Sequence, residues 1–352
     1  MTANSVHLEE YGATGVYGED ATPALLDAAA ALGPAGGRIQ LGAGAYCINQ
    51  ATLAIKSVTL EGVARHATWL VLKEAVWPAL TLTGPDDGAI HGSAIRDLSI
   101  HHEATATSSA ALALRRVKGL VIDNVRVTGF RSALVVGSVL DGLGGACNNV
   151  TLRSVKLDPG QDGGVVVDVF AANALTLDSA SDVSGKAGST GIRFAGLLCD
   201  TADIAALVKD CGTAIRASAS VANVNLSGAR LDGVQQVALH LEPGAGKSLS
   251  SWHALGGLWV SSRGYGVIAH AGSGSISEVD LRFVKLDSET TPNTVPGGPP
   301  IKAAQSMLSL SGLTNSRFVG RYNPSACAPG AAPIDRGACG SDVETAGMRA
   351  VA

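Results

Sequence analysis

Short segments of alternating apolar and polar residues recur along this chain, and that repetition limits its fold more than any other feature. Asn149–Asp158 (NVTLRSVKLD), Asn173–Asp182 (NALTLDSASD), Asn223–Asp232 (NVNLSGARLD) and Glu278–Asp287 (EVDLRFVKLD) are copies of one pattern. Ser93–His102 and Lys118–Val127 are earlier copies, and Asp203–Cys211 is a weaker one. Alternation with a period of two marks strands with one buried face. Spacings of roughly 20–50 residues between copies are those of repeat architectures. Second apolar runs, such as Ala133–Val136, Ile192–Ala195 and Val237–Leu241, lie between the copies. One rung cannot bury its inward face, whereas stacked rungs bury a continuous core. The expected fold is all-β: a single-stranded parallel β-helix, or solenoid, right-handed by the rule for parallel connections.

Composition agrees with narrow stacked strands. Apolar residues make up 46% of the 352 residues, yet aromatics only 4%, and glycines number 44. The first fifty residues differ: Asp20–Leu32 (DATPALLDAAAAL) is helical text, with Thr22 as N-cap and Pro23 in the first turn. That helix is expected to cap the open end of the solenoid. The expected organisation is an entry strand and capping helix over 1–50, a β-helix over 51–322, and an assembly-dependent tail over 323–352. Thr291–Pro300 (TPNTVPGGPP) is a loop before a last rung at Met307–Tyr322.

A net charge of −4 and the lack of a basic run argue against nucleic acid, whose phosphates need a basic patch. No stretch approaches 18 apolar residues without polar interruption, so no membrane insertion is expected. The polar start Met1–Tyr11 is no signal peptide. Of six cysteines, Cys47, Cys147, Cys199 and Cys211 read as buried thiols, while Cys327 and Cys339 could pair in an oxidising medium.

Val6–Leu32 followed by Gly36–Tyr46 (GGRIQLGAGAY) resembles the opening of the pectate-lyase-like superfamily, which recurs in bacteriophage tailspikes. Tyr11-Gly12-Ala13, Gly15, Gly18, Asp20 and Thr22 match it, as do Gly36, Gly37, Gly44 and Tyr46. Ser57–Gly62 (SVTLEG) resembles the rung that follows. The resemblance implies a virion protein that recognises bacterial surface polysaccharide, capsule or lipopolysaccharide, as a homotrimer attached to other tail proteins. It implies no cofactor. The polygalacturonase set of that superfamily (Asn-Thr-Asp, Asp-Asp, Gly-His-Gly, Arg-Ile-Lys) does not occur in order, so no catalytic residue carries over.

Candidate sites therefore come from the residues. Asp158, Asp182, Asp232 and Asp287 share the tenth position of their repeats. In register, such carboxylates would stack roughly 4.8 Å apart, close to the separation of a retaining glycosidase pair. Asp158, Asp162 and Asp182 are the expected catalytic carboxylates; the competing use of each is turn formation. Trp252, Trp259 and Tyr265 cluster in a chain poor in aromatics and are the expected sugar-stacking platform, or else fill a wide rung or a subunit interface. Gly244–Ser248 (GAGKS) lacks the first glycine of a P-loop, having Leu241 there. Three functions stay open: a glycan-cleaving spike, a non-catalytic receptor-binding or decoration protein, and a monomeric polysaccharide lyase or hydrolase.

Overall fold

The computed structural model describes residues 5–53, 57–73, 78–84, 90–103, 110–137, 146–158, 160, 162–287, 307–322, 332–337, 339 and 342–350. The architecture is an all-β parallel solenoid with one α-helix near its N-terminal end. Every strand pairing among the described residues is parallel, so the chain passes the same points again and again.

Three long ladders define its faces. On face A, the successive neighbours are Ser5, Arg38, Thr59, Ala94, Val121, Thr151, Thr176, Asp203, Asn225, His253, Asp280, Arg317 and Glu344. On face B they are Ser99, Arg126, Lys156, Asp182, Leu207, Arg230, Trp259 and Lys285. Face C carries an inward ladder of Leu112, Leu134, Val167, Ile192, Ile215, Leu239, Val267, Leu308 and Ile334. Between neighbouring rungs each inward aliphatic meets another, which is why the core needs so few aromatics. Most buried residues form one continuous cluster from Leu8 to Val343, and Ala110, Ala113 and Val135 form a small second one against Phe170.

The repeats find their physical origin in a bend. Gly92, Gly119, Asn149, Ala174, Asn223, Ser251, Glu278 and Asn315 all have positive φ, between 44° and 74°. Flanking pairs place them in one column: Asn148 faces Asn173 and Val150 faces Leu175, so Asn149 lies beside Ala174. Left-handed backbone favours Gly and Asn, whose short side chain tolerates it. The Asn that opens a repeat is therefore this bend, or its neighbour in the case of Asn173.

The helix runs Thr22–Ala31 and buries Ala24, Leu25, Ala28 and Ala29. Its start differs from the expectation. The Thr22 side chain does not cap the helix; its hydroxyl accepts the Asn49 N–H (2.9 Å), and Asp20 Oδ1 accepts the Thr22 N–H (2.9 Å). Gly36, at φ +73°, is obligatory: a Cβ there would sit 1.7 Å from the Ser57 carbonyl oxygen. Ser57–Gly62 contributes the strand Val58–Glu61, as its pattern predicts.

The C-terminal segment is also corrected. It is not only a tail: Val343–Ala350 pairs with Ser316–Tyr322 and adds a strand to faces A and B. The hydrophobic Val343 belongs to the core, which is what draws this segment in. Cys47, Cys147, Cys199 and Cys211 are buried thiols outside any disulfide, and Cys339 is a half-buried one. The Thr291–Pro300 loop and Cys327 lie outside the described residues. No helix among those residues is long and apolar enough to cross a membrane.

Candidate functional site

Most face A stretches follow a left-handed bend, and the residue two positions on points outward. Ser251, Glu278 and Asn315 are bends; His253, Asp280 and Arg317 follow them, and Glu344 completes the column. Together with Glu278, Asn315, Ser316 and Asp342 these residues line an open groove of about 450 Å³. Local bonds hold the lining in place. Ser251 Oγ donates to Glu278 Oε2 (2.6 Å), the Val279 N–H donates to Ser316 Oγ (3.2 Å), and Asn315 N–H donates to the Asp342 carboxylate. Arg317 Nε lies 3.4 Å from Glu344 Oε2. Asp280 Oδ1 has only Arg282 Nε at 3.9 Å, beyond hydrogen-bond range, and makes no hydrogen bond. The groove thus offers carboxylate acceptors, a guanidinium and an imidazole on successive rungs, a set suited to ligands rich in hydroxyls.

A second, shallower groove of about 300 Å³ lies upstream on the same face. Its floor is made where Gly92 and Gly119 carry no side chain, and Arg96, Asp123 and Arg153 form one wall. Glu61 bridges Arg96 (3.7 Å) and Arg38 (3.2 Å) at the edge.

The carboxylates expected to be catalytic are on face B, and they do not stack. Asp182 lies opposite Lys156, two positions from the place opposite Asp158. The reason is the bend: this repeat turns at Ala174 rather than Asn173 and takes a longer path to its next strand. Asp182 binds Lys209 Nζ at 2.9 Å and accepts from the Ser184 hydroxyl at 2.8 Å. That hydrogen bond with Asp182 raises the Lys209 pKa, against a smaller opposing effect of burial. Asp158 Oδ1 accepts the Gly160 N–H (3.1 Å). Asp162 Oδ1 accepts from the N–H groups of Gly163 (3.0 Å) and Gly188 (2.6 Å). Asp232 lies opposite Lys209, and Asp287 opposite Ser261 and 2.9 Å from Lys285. The acidic positions of face B are thus interleaved with cations.

The aromatic platform is corrected as well. Trp252 is fully buried in the inward ladder between Val224 and Val279, edge-on to Phe194 at 6.2 Å, and offers no surface to a sugar. Tyr265 is half-buried on face C beside Val237. Trp259 alone of the three is open, 45% exposed on face B between Arg230 and Lys285. Closeness in sequence scatters these residues because the chain turns a corner between each.

No protein-family model matches the sequence, and no curated protein does. Solved structures share the fold. DFA-IIIase from Arthrobacter chlorophenolicus A6, in complex with DFA-III, superposes with a TM-score of 0.62 at 10% identity, over 97% of this chain and 92% of that one. The Dettilon tailspike protein gives 0.56 at 15% identity, over 99% and 68%. The A-module of mannuronan C-5 epimerase AlgE4 from Azotobacter vinelandii gives 0.54 at 13%, over 99% of both chains.

Proposed function

We propose that this chain is a tailspike-like virion protein that holds a bacterial surface polysaccharide, capsule or lipopolysaccharide, in its face A groove. One observation carries the proposal: His253, Asp280, Arg317 and Glu344 stand in register on successive rungs and line an open polar groove. A row of side chains repeating every ~4.8 Å suits a chain of sugars, which also repeats along its length. Likeness of fold supports the class of ligand, since the similar structures include a tailspike, a mannuronan C-5 epimerase and a DFA-IIIase in complex with DFA-III. On this reading the coil is right-handed, the helix Thr22–Ala31 closes its N-terminal end, three copies assemble side by side, and other tail proteins anchor them. Light scattering should then give about three times 35.4 kDa.

The test is binding of wild type, Arg317→Ala and His253→Ala to purified capsule and lipopolysaccharide. Loss of about tenfold in affinity on either substitution, with an unchanged circular dichroism spectrum, is expected. Failure of the wild type to retain any surface glycan would sink the reading.

A second reading adds cleavage. Asp280 and Glu344 are two rungs apart, so their backbones lie ~10 Å apart, near the range of inverting glycosidases at about 6.5–9.5 Å. The rival place is the turn of Asp158 and Asp162 with Asp182 one rung on. Released reducing ends that vanish in Asp280→Asn and Glu344→Gln assign the face A groove. Loss in Asp158→Asn, Asp162→Asn or Asp182→Asn assigns face B.

A further inference from the structure

Face B carries a stripe that the groove does not use. Arg230, Trp259 and Lys285 are lateral neighbours on three successive rungs. On the next rung Gly320 pairs with Phe283 and Tyr322 with Leu286, so Arg321 lies opposite the bulge that holds Val284 and Lys285, and Arg321 faces Arg349. Cation, aromatic, cation, cation, cation thus follow one another over ~19 Å of the coil. All are open to water: the side chains of Arg230 and Lys285 are 59% and 55% exposed, and Arg321 and Arg349 are exposed too.

Little holds these cations. Arg230 lies 3.7 Å from Asp232, and Lys285 lies 2.9 Å from Asp287. Exposed pairs of this kind are weak, so a ligand can exchange for them. Arg321 and Arg349 have no ion pair among the described residues. Four cations against two carboxylates make the stripe positive on a chain whose net charge is −4. On the same two rungs, Leu255 and Val284 are 53% and 43% exposed, so exposed apolar residues precede Trp259 and Lys285 along their strands.

We infer that the polysaccharide is acidic and that the Arg230–Trp259–Lys285–Arg321–Arg349 stripe binds it, a sugar ring on Trp259 and its carboxylate, sulfate or phosphate groups on the flanking cations. This rests on the proposal that the chain engages a surface glycan, and it names the chemical class. Asp232 and Asp287, in the neighbouring outward column, disfavour a strand with a phosphate on every unit. They tolerate a glycan charged on some units only.

The experiment measures binding of the full chain to polygalacturonate, to chondroitin sulfate, and to carboxyl-reduced polygalacturonate, in low and moderate salt. Dextran, purified capsule, lipopolysaccharide and a single-stranded oligonucleotide complete the set. The acidic polymers should bind and the reduced one should not. Trp259→Ala and the exposed double variant Arg230→Glu/Lys285→Glu should each weaken binding about tenfold or more, and salt should weaken it further. Equal affinity for the reduced polymer or dextran overturns the inference and leaves glycan recognition standing. So does binding of acidic polymers that both variants leave unchanged. Equal affinity for the oligonucleotide through the same residues overturns it in favour of a nucleic-acid surface. Binding of no glycan at all, capsule and lipopolysaccharide included, overturns both this inference and the proposed function.

Discussion

Asp168 is only 2% exposed, and both its oxygens are taken by Arg193, at 2.9 Å from Nε and 2.6 Å from Nη2. Hydrogen bonding to Asp168 raises the Arg193 pKa further, with burial opposing it. Asp168→Ala should cost about 2 kcal/mol in urea unfolding, below the ~3–5 kcal/mol of a fully buried pair broken on one side. The cost stays low because Arg193 is 36% exposed and can turn to water. The thiols give a pH-dependent companion. Burial pushes Cys147 up to about 11 and Cys199 and Cys211 up to about 12, from 9.0. Their folded values exceed the unfolded one, so their contribution is whole below about pH 9 and is lost as pH rises toward 11–12. The urea midpoint should hold from pH 7 to 8.5 and fall by pH 10.5. A thiol reagent at pH 8 should leave these three unlabelled in the native protein; rapid labelling would contradict their burial.

At the scale of elements, the left-handed bend sets the register of everything that follows it. Asn223 sits there at φ 54°, and its Nδ2 donates to the Asp200 carbonyl at 3.2 Å. Asn223→Gly, free of strain, should cost only about 1 kcal/mol in thermal unfolding, for the lost hydrogen bond. Asn223→Val should cost about 2–3 kcal/mol, from strain of ~1–2 kcal/mol plus a lost hydrogen bond. An equal effect of both would remove the bend from the account. The rungs were legible because alternation in Asn149–Asp158 or Glu278–Asp287 survives any local detail. The site was not, because repeats aligned on their final aspartate hide two one-residue shifts, one at the bend and one on the path after it, which together move Asp182 opposite Lys156. Counted instead from the bend, the second residue of each repeat reads His253, Asp280 and Arg317, the wall of the groove. Trp252 misled for a related reason: inward or outward depends on parity from the bend, and Trp252 is one residue too close to it.

Across the whole molecule, a rung touches little beyond its two neighbours. Trp252 spans that contact, wedged between Val224 and Val279 and against Phe194. Trp252→Ala should cost about 3–5 kcal/mol, and its effect should be local. Hydrogen exchange should accelerate around Val224 and Val279 and stay unchanged near Arg38 and Thr59; uniform acceleration would mean the coil unfolds as one unit. The same construction gives the protein a built-in ruler. The two face A grooves are separated by the ladder from Thr151, on the strand of Arg153 at the upstream groove's near edge, to His253, four strand steps or ~19 Å. Loss or duplication of one whole repeat between them would alter neither groove, yet would shift their spacing by a single step of ~4.8 Å. Such changes retune the coil in discrete increments to the periodicity of whatever polymer lies along it.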